Sequence, residues 1–157
     1  MITADTVSSD QIDIQAPIEL VWEVLVDFPN YQAWNTFCPR CEAQLEIGSA
    51  IRMQVDLGFG LQEQVEYICR IEPPTAIAWK MNTAPGDPIH AVRTQYLQAL
   101  DENTTRYVSV DEFSGEAVAG MMDSLGKAVE EGFNRCGYGL KQYCEQLHAK
   151  GEAPADV

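Results

Sequence analysis

Few side chains in this sequence have the type and spacing for chemistry, and most fall on two predicted strands, 90–100 and 104–113. Arg93 and Gln95 share a face with Leu97 and Ala99; Tyr107, Ser109, Asp111 and Phe113 share a face of the next strand. With both faces inward, Arg93 and Asp111 form a polar cluster inside an apolar pocket. There burial raises a carboxyl pKa, and the cluster can orient an enol or a carboxylate. The opposite phase puts Val92, Tyr96 and Leu100 inward with Val108 and Val110. A slip of one residue exchanges the two sets, and both phases are open at this point. Tyr67 is a third candidate, as a partner of Arg93 in stabilising an enolate. Nucleophilic and dinucleotide chemistry lack support, because neither GxSxG nor GxGxxG occurs and neither histidine sits in a triad-like motif. His90 reads as a structural histidine near a cavity rim, and His148 as an exposed one.

The cysteines raise a separate possibility. Cys38 and Cys41 form a CxxC, "CPRC", which suits a redox pair or half a zinc site. A zinc site needs a second ligand pair, and Cys69, Cys136, Cys144, His90 and His148 do not supply the spacing. A thioredoxin-like pair precedes a helix, whereas the segment after Cys41 reads as a strand. The expectation is five free thiols, with no metal and no cofactor.

Length and charge bound the partners. With 157 residues and an ordinary apolar content, the chain reads as one domain over 1–157, its ordered core at about 8–149 and its ends short and flexible. The net charge of −14 argues against nucleic acid and anionic membrane surfaces. No apolar run approaches the roughly 20 residues of a membrane span, and "MITADTVSSDQ" lacks the features of a secretory signal. The sequence reads as cytoplasmic, and as a monomer or a homodimer.

The elements that must position these residues follow from periodicity. Ile12 and Ile14 alternate with polar neighbours as a half-buried strand. Pro17 and Glu19 open a helix whose Ile18, Val21, Trp22 and Leu25 make one apolar face. Asp27 and Pro29 start a second short helix that brings Tyr31 near Trp34. From 43 to 113 the period is two: Ile51, Met53, Val55 and Leu57 share a face, then Val65, Tyr67, Cys69 and Ile71, then Ile77, Trp79 and Met81. Short connections make the sheet antiparallel. From 117 to 150 a broad stripe that includes Met121, Met122, Leu125, Val129, Phe133 and Leu140 predicts one long helix. Its several glycines suit bending or close approach to the sheet. One sheet and one long helix leave a gap between them, with the two short helices at its end. Trp34 and Phe37 are expected as lid residues and Trp22 as core.

The segment "IQAPIELVWEVLVDFPNYQAWNTF" resembles the N-terminal signature of the SRPBCC or START-like helix-grip superfamily, polyketide cyclase/dehydrase-like branch. The resemblance continues through "YICRIEPPTAIAWKMN", "TTRYVSVDEFSG" and "FNRCGYGLKQYCE", over about residues 8–148. It implies an α+β helix-grip fold: a curved, antiparallel, seven-stranded sheet, two short helices and a long C-terminal helix around a cavity. "FCPRC" and the pair Arg93 and Gln95 depart from the superfamily's usual apolar residues. The expected ligand-binding set is Trp34, Phe37, Met53, Phe59, Tyr67, Trp79, Arg93, Gln95, Met121, Met122, Leu125 and Phe133. The implied function is binding of a hydrophobic or aromatic small molecule, with cyclase or dehydratase-like chemistry in reach. The alternatives are a hydrophobic-ligand or lipid carrier without chemistry and a protein-interaction module with a filled core.

Overall fold

A computed structural model describes residues 1–151; positions 152–157 of the expected tail lie outside the described residues. The chain opens with β1 (Thr6–Ser8) and β2 (Ile12–Ile14), followed by α1 (Ile18–Leu25) and a 3-10 helix (Phe28–Ala33). Six strands follow: β3 (Arg40–Glu42), β4 (Ala50–Asp56), β5 (Leu61–Glu72), β6 (Ala76–Lys80), β7 (His90–Asp101) and β8 (Thr104–Ser114). The long helix α2 (Val118–Lys150) closes the described chain. The strands form one antiparallel sheet in the order β1-β8-β7-β6-β5-β4-β3, with β2 also paired to β8. This is the helix-grip α+β fold. The sheet has eight strands rather than seven, because Ser9–Gln11 divides the first arm into β1 and β2.

Residues 1–7, expected to fray, are tied down. Val7 is fully buried opposite Asp111, and the N-terminal amine donates to the Ser8 carbonyl at 2.6 Å. The apolar face of α1 is buried as its spacing predicts, including Trp22. Pro17 stands at its N-cap, where a missing N–H costs nothing. Asp27 occupies the corresponding position of the 3-10 helix, but its carboxylate accepts from the Asn30 side chain at 2.7 Å instead of capping the backbone.

Helix α2 packs on α1, β1, β2 and β8 and sends Phe133, Cys136 and Leu140 into the core. Two of its glycines are contact points for segment 34–37. A Cβ on Gly132 would stand 2.4 Å from the Phe37 ring, and one on Gly139 would stand 2.1 Å from the Trp34 carbonyl oxygen. Close approach therefore outweighs the helical cost of these residues. Arg135 holds the same segment from α2, donating to the carbonyls of Asp56 at 2.6 Å and Thr36 at 3.3 Å. Among the described residues, no helix is long and apolar enough to cross a membrane.

Candidate functional site in the cavity under the long helix

The register of the sheet settles which faces look inward. Ile68, Trp79, Arg93, Asp111 and Val7 pair in succession across β5, β6, β7, β8 and β1, so their side chains share one face. Arg93, Gln95 and Leu97 are buried, as are Tyr107 and Ser109, whereas Leu100 is exposed. The phase that clusters Arg93 with Asp111 is the one adopted.

A cavity of about 120 Å³ lies between this face and α2. Its apolar wall includes Phe37, Met53, Trp79, Phe113, Val129 and Phe133; its polar groups are Arg93, Asp111, Glu66 and Gln64. A larger groove of about 540 Å³ runs outside the sheet edge, along Pro29, Gln32, Arg40, Glu42, Arg52 and Glu63. It is open and charged, and it lacks the convergence of Arg93 with the carboxyls. The inner cavity is therefore the candidate site. Met53 borders both spaces.

Arg93 is the centre of the cavity. Its guanidinium lies over Phe133 at 4.2 Å from the ring centroid, with Phe37 at 5.6 Å and Trp79 at 5.8 Å. Nε donates to the Ser109 hydroxyl at 2.8 Å, and Nη2 reaches Gln95 Oε1 at 3.4 Å and Cys136 Sγ at 3.7 Å. Gln95 is fixed in turn by the Tyr107 hydroxyl at 2.6 Å. Burial works against the Arg93 charge, but Tyr107, Cys136 and Asp111 more than offset it and the group stays cationic. Among the described residues no carboxylate forms an ion pair with Arg93, and Nη1 donates to no protein acceptor.

The two carboxyls of the cavity are both displaced toward neutrality. Burial pushes Asp111 up to about 7, with repulsion from Glu66 and Glu112 adding and Arg93 opposing. Asp111 Oδ1 is enclosed and has no hydrogen-bond partner among the described residues. Burial likewise pushes Glu66 up to about 7, against the pull of Arg93 and a hydrogen bond from Gln64 Nε2 at 2.7 Å. One cation thus faces two carboxyls that exchange protons near neutral pH, the condition for general acid–base work.

Of the expected ligand-binding set, Phe37, Met53, Trp79, Arg93 and Phe133 come together in the cavity wall. Gln95 sits one layer deeper, as a support for Arg93. Trp34 is buried but borders a separate cleft between the 3-10 helix and α2. Phe59 is a correction: it is 67% exposed at the tip of the β4–β5 turn, between two positive-φ glycines that hold it away from the core. Tyr67 is another, since Glu66 and Ile68 on either side of it are buried and it points to the opposite face. Met121, Met122 and Leu125 are partly exposed on the first turns of α2, outside the cavity wall. Glu66 is the cavity-lining carboxyl that periodicity misses, because the apolar choice on β5 was Val65 with Tyr67.

All five cysteines are free, and among the described residues no group of three or more His, Cys, Asp or Glu side chains is placed to hold a metal ion. Cys38 and Cys41 are buried; the Cys38 thiol donates to the Arg40 carbonyl at 3.3 Å, and the interaction between the two thiols favours ionising Cys38 and disfavours Cys41. His90 is engaged by the Thr83 hydroxyl at 2.5 Å and His148 is exposed.

Fold and site together place the protein in a defined class. Residues 5–145 match the model of the family described as polyketide cyclase / dehydrase and lipid transport, and the chain belongs to that family. Among solved structures it is similar to the Zhui aromatase/cyclase from Streptomyces sp. R1128, with 21% identity, 94% of this chain and 98% of that one covered, and a TM-score of 0.73. A START superfamily protein from Mycobacterium smegmatis shows 16% identity, 91% and 99% coverage and a TM-score of 0.70. At these identities the likeness is one of fold. No curated protein sequence matches the chain.

Proposed function

We propose that the protein binds a small, largely apolar molecule in the cavity between its sheet and α2, and that Arg93, Asp111 and Glu66 move a proton on it. The observation that carries this reading is a buried arginine that forms no ion pair among the described residues and lines the same 120 Å³ space as two carboxyl residues, Asp111 and Glu66. In its ionised form Asp111 takes a proton from a carbon beside a carbonyl or from a hydroxyl. Charge then develops on the substrate oxygen, where Arg93 stabilises it, and Glu66 in its acid form returns a proton. The aromatic walls hold the substrate against these groups. The family description and the aromatase/cyclase name of one structural neighbour agree with such chemistry.

The carrier reading shares the pocket and differs only in lacking turnover. An interaction module would have a filled core, which this cavity does not provide. Native mass spectrometry of freshly purified protein, set beside the denatured mass, tests the binding step. The expected result is a small molecule released on denaturation and lost in Ala91→Phe, which fills the cavity. With that molecule in hand, wild type converts it, while Arg93→Met binds it without conversion. Conversion by Arg93→Met at the wild-type rate refutes the catalytic assignment, and binding without turnover by wild type leaves the carrier.

A further inference from the structure

We propose that Cys38 and Cys41 are a dithiol pair that hydrogen peroxide closes to a disulfide and thiols reopen, and that the bond forms directly behind the cavity wall. The chain bends through residues 36–39 and enters β3 at Arg40, which folds the CxxC back on itself. The Asn35 side-chain oxygen pins the bend, accepting from the Cys38 N–H at 2.8 Å. Cys38 Sγ lies 3.3 Å from the Arg40 carbonyl oxygen, on the peptide unit that leads into Cys41. Cys41 stands opposite Met53 on the inward face of the sheet. Both thiols are buried in the same core and interact side chain to side chain. The other thiols are placed differently. Cys136 and Cys144 stand eight residues apart on α2, about 12 Å along its axis, and Cys69 is half-buried on β5.

Access and charge both fit the pair for oxidation. Cys41 lines the open groove of about 540 Å³, and β3 is a three-residue strand at the end of the sheet. Such an edge opens more readily than the middle of a sheet and admits a molecule as small as peroxide. The neighbouring Cys41 thiol favours the ionised form of Cys38; burial opposes it and the Arg93 charge assists. The thiolate is the nucleophile. It attacks one peroxide oxygen: an S–O bond forms, the O–O bond breaks, and the departing hydroxide leaves as water with the proton that Cys38 released. The Cys41 sulfur then attacks the sulfenic sulfur of Cys38: the S–S bond forms, the S–O bond breaks, and the hydroxyl leaves as water with the Cys41 proton. Two thiols are oxidised and one peroxide is reduced to two waters. A thiol reductant reverses the change by exchange. The link to the cavity is short. Phe37 immediately precedes Cys38 and Met53 is the cross-strand partner of Cys41; both line the cavity, and the Arg93 guanidinium lies 5.6 Å from the Phe37 ring. Closing the bond therefore shifts the wall on which Arg93 packs.

The sequence supplies a direct assay, because Arg40 lies between the two cysteines and is the first tryptic site of the chain. Wild-type protein is treated with an equimolar amount of hydrogen peroxide, its free thiols are alkylated, and it is digested with trypsin without reduction. Peptides 1–40 and 41–52 are expected to run as one disulfide-linked species that dithiothreitol separates, with Cys69, Cys136 and Cys144 recovered in alkylated form. Separate peptides after peroxide, or either peptide joined to one that carries Cys69, Cys136 or Cys144, overturns the pair. In Cys41→Ser, peroxide should leave a sulfenic acid on Cys38 that dimedone traps, whereas in Cys38→Ser the Cys41 thiol should survive. The reverse pattern overturns Cys38 as the attacking sulfur. The NMR signal of Arg93 Nε–H should shift on oxidation of wild type and return with dithiothreitol. A linked digest with that signal unmoved overturns the link to the cavity. The wild-type digest decides the bond even if a variant does not fold.

Discussion

Replacing Asp111 by Asn should stabilise the protein, and by an amount that depends on pH. In the folded chain the Asp111 carboxyl is pushed from 3.8 up to about 7, chiefly by burial and then by Glu66, with Glu112 adding and Arg93 opposing. Between those two pH values the folded state holds a proton that the unfolded chain has released. Unfolding free energy therefore falls as pH rises through the window, and it levels off above about 7. At 1.36 kcal/mol per pKa unit, the cost of the ionised side chain in wild type reaches about 4 kcal/mol at pH 8. This is an upper figure, because water entering the cavity screens the charge. Asn carries no charge and has nearly the same shape, so any fixed difference in its hydrogen bonding is the same at every pH. The stability difference, variant minus wild type, should therefore grow by up to about 4 kcal/mol between pH 4 and pH 8. Urea unfolding followed by tryptophan fluorescence at pH 4, 6 and 8 measures it, provided the m-values agree. A difference that is constant across the three pH values would refute the burial of an ionisable Asp111, and with it the acid–base reading of the cavity.

Three further outcomes follow from the same geometry. Gly132→Ala places a methyl 2.4 Å from the Phe37 ring and forces that ring out of the cavity wall; thermal melts should show a loss of about 1–3 kcal/mol. Tyr107→Phe removes the 2.6 Å hydrogen bond that fixes Gln95 behind Arg93, and denaturant titration should register a loss of about 1–3 kcal/mol. Phe59→Asp, at an exposed turn, should change stability by less than about 0.5 kcal/mol and leave the ligand mass seen by native mass spectrometry in place. A clear loss in Phe59→Asp would return that residue to the binding site.

The order of elements and the buried face of α1 were legible because each rests on a strong local period. The i, i+3, i+4, i+7 spacing of Ile18, Val21, Trp22 and Leu25 has one solution, and all four are buried. The site was harder to read for a physical reason. Alternation assigns the apolar set to the inside, but this cavity also takes polar groups, Arg93, Asp111 and Glu66, on its inner face. On β7 and β8 this left two phases open, and only pairing with Trp79 and Val7 decides between them. On β5 it inverted the answer: Val65 and Tyr67 outscore Gln64 and Glu66 in hydrophobicity, yet Glu66 is the buried residue. A rule beyond composition does recover it. The turn at residues 57–60 pairs Asp56 with Leu61, which carries the register back to Met53 opposite Gln64 and Ile51 opposite Glu66. Since cross-strand partners share a face, the plainly inward set Ile51, Met53 and Val55 turns Gln64 and Glu66 toward the cavity face, where Glu66 is buried and Gln64 lines the mouth while staying exposed. A strand whose hairpin register contradicts its own alternation is thus a pointer to a polar interior, and here it leads to one of the two carboxyls that face Arg93.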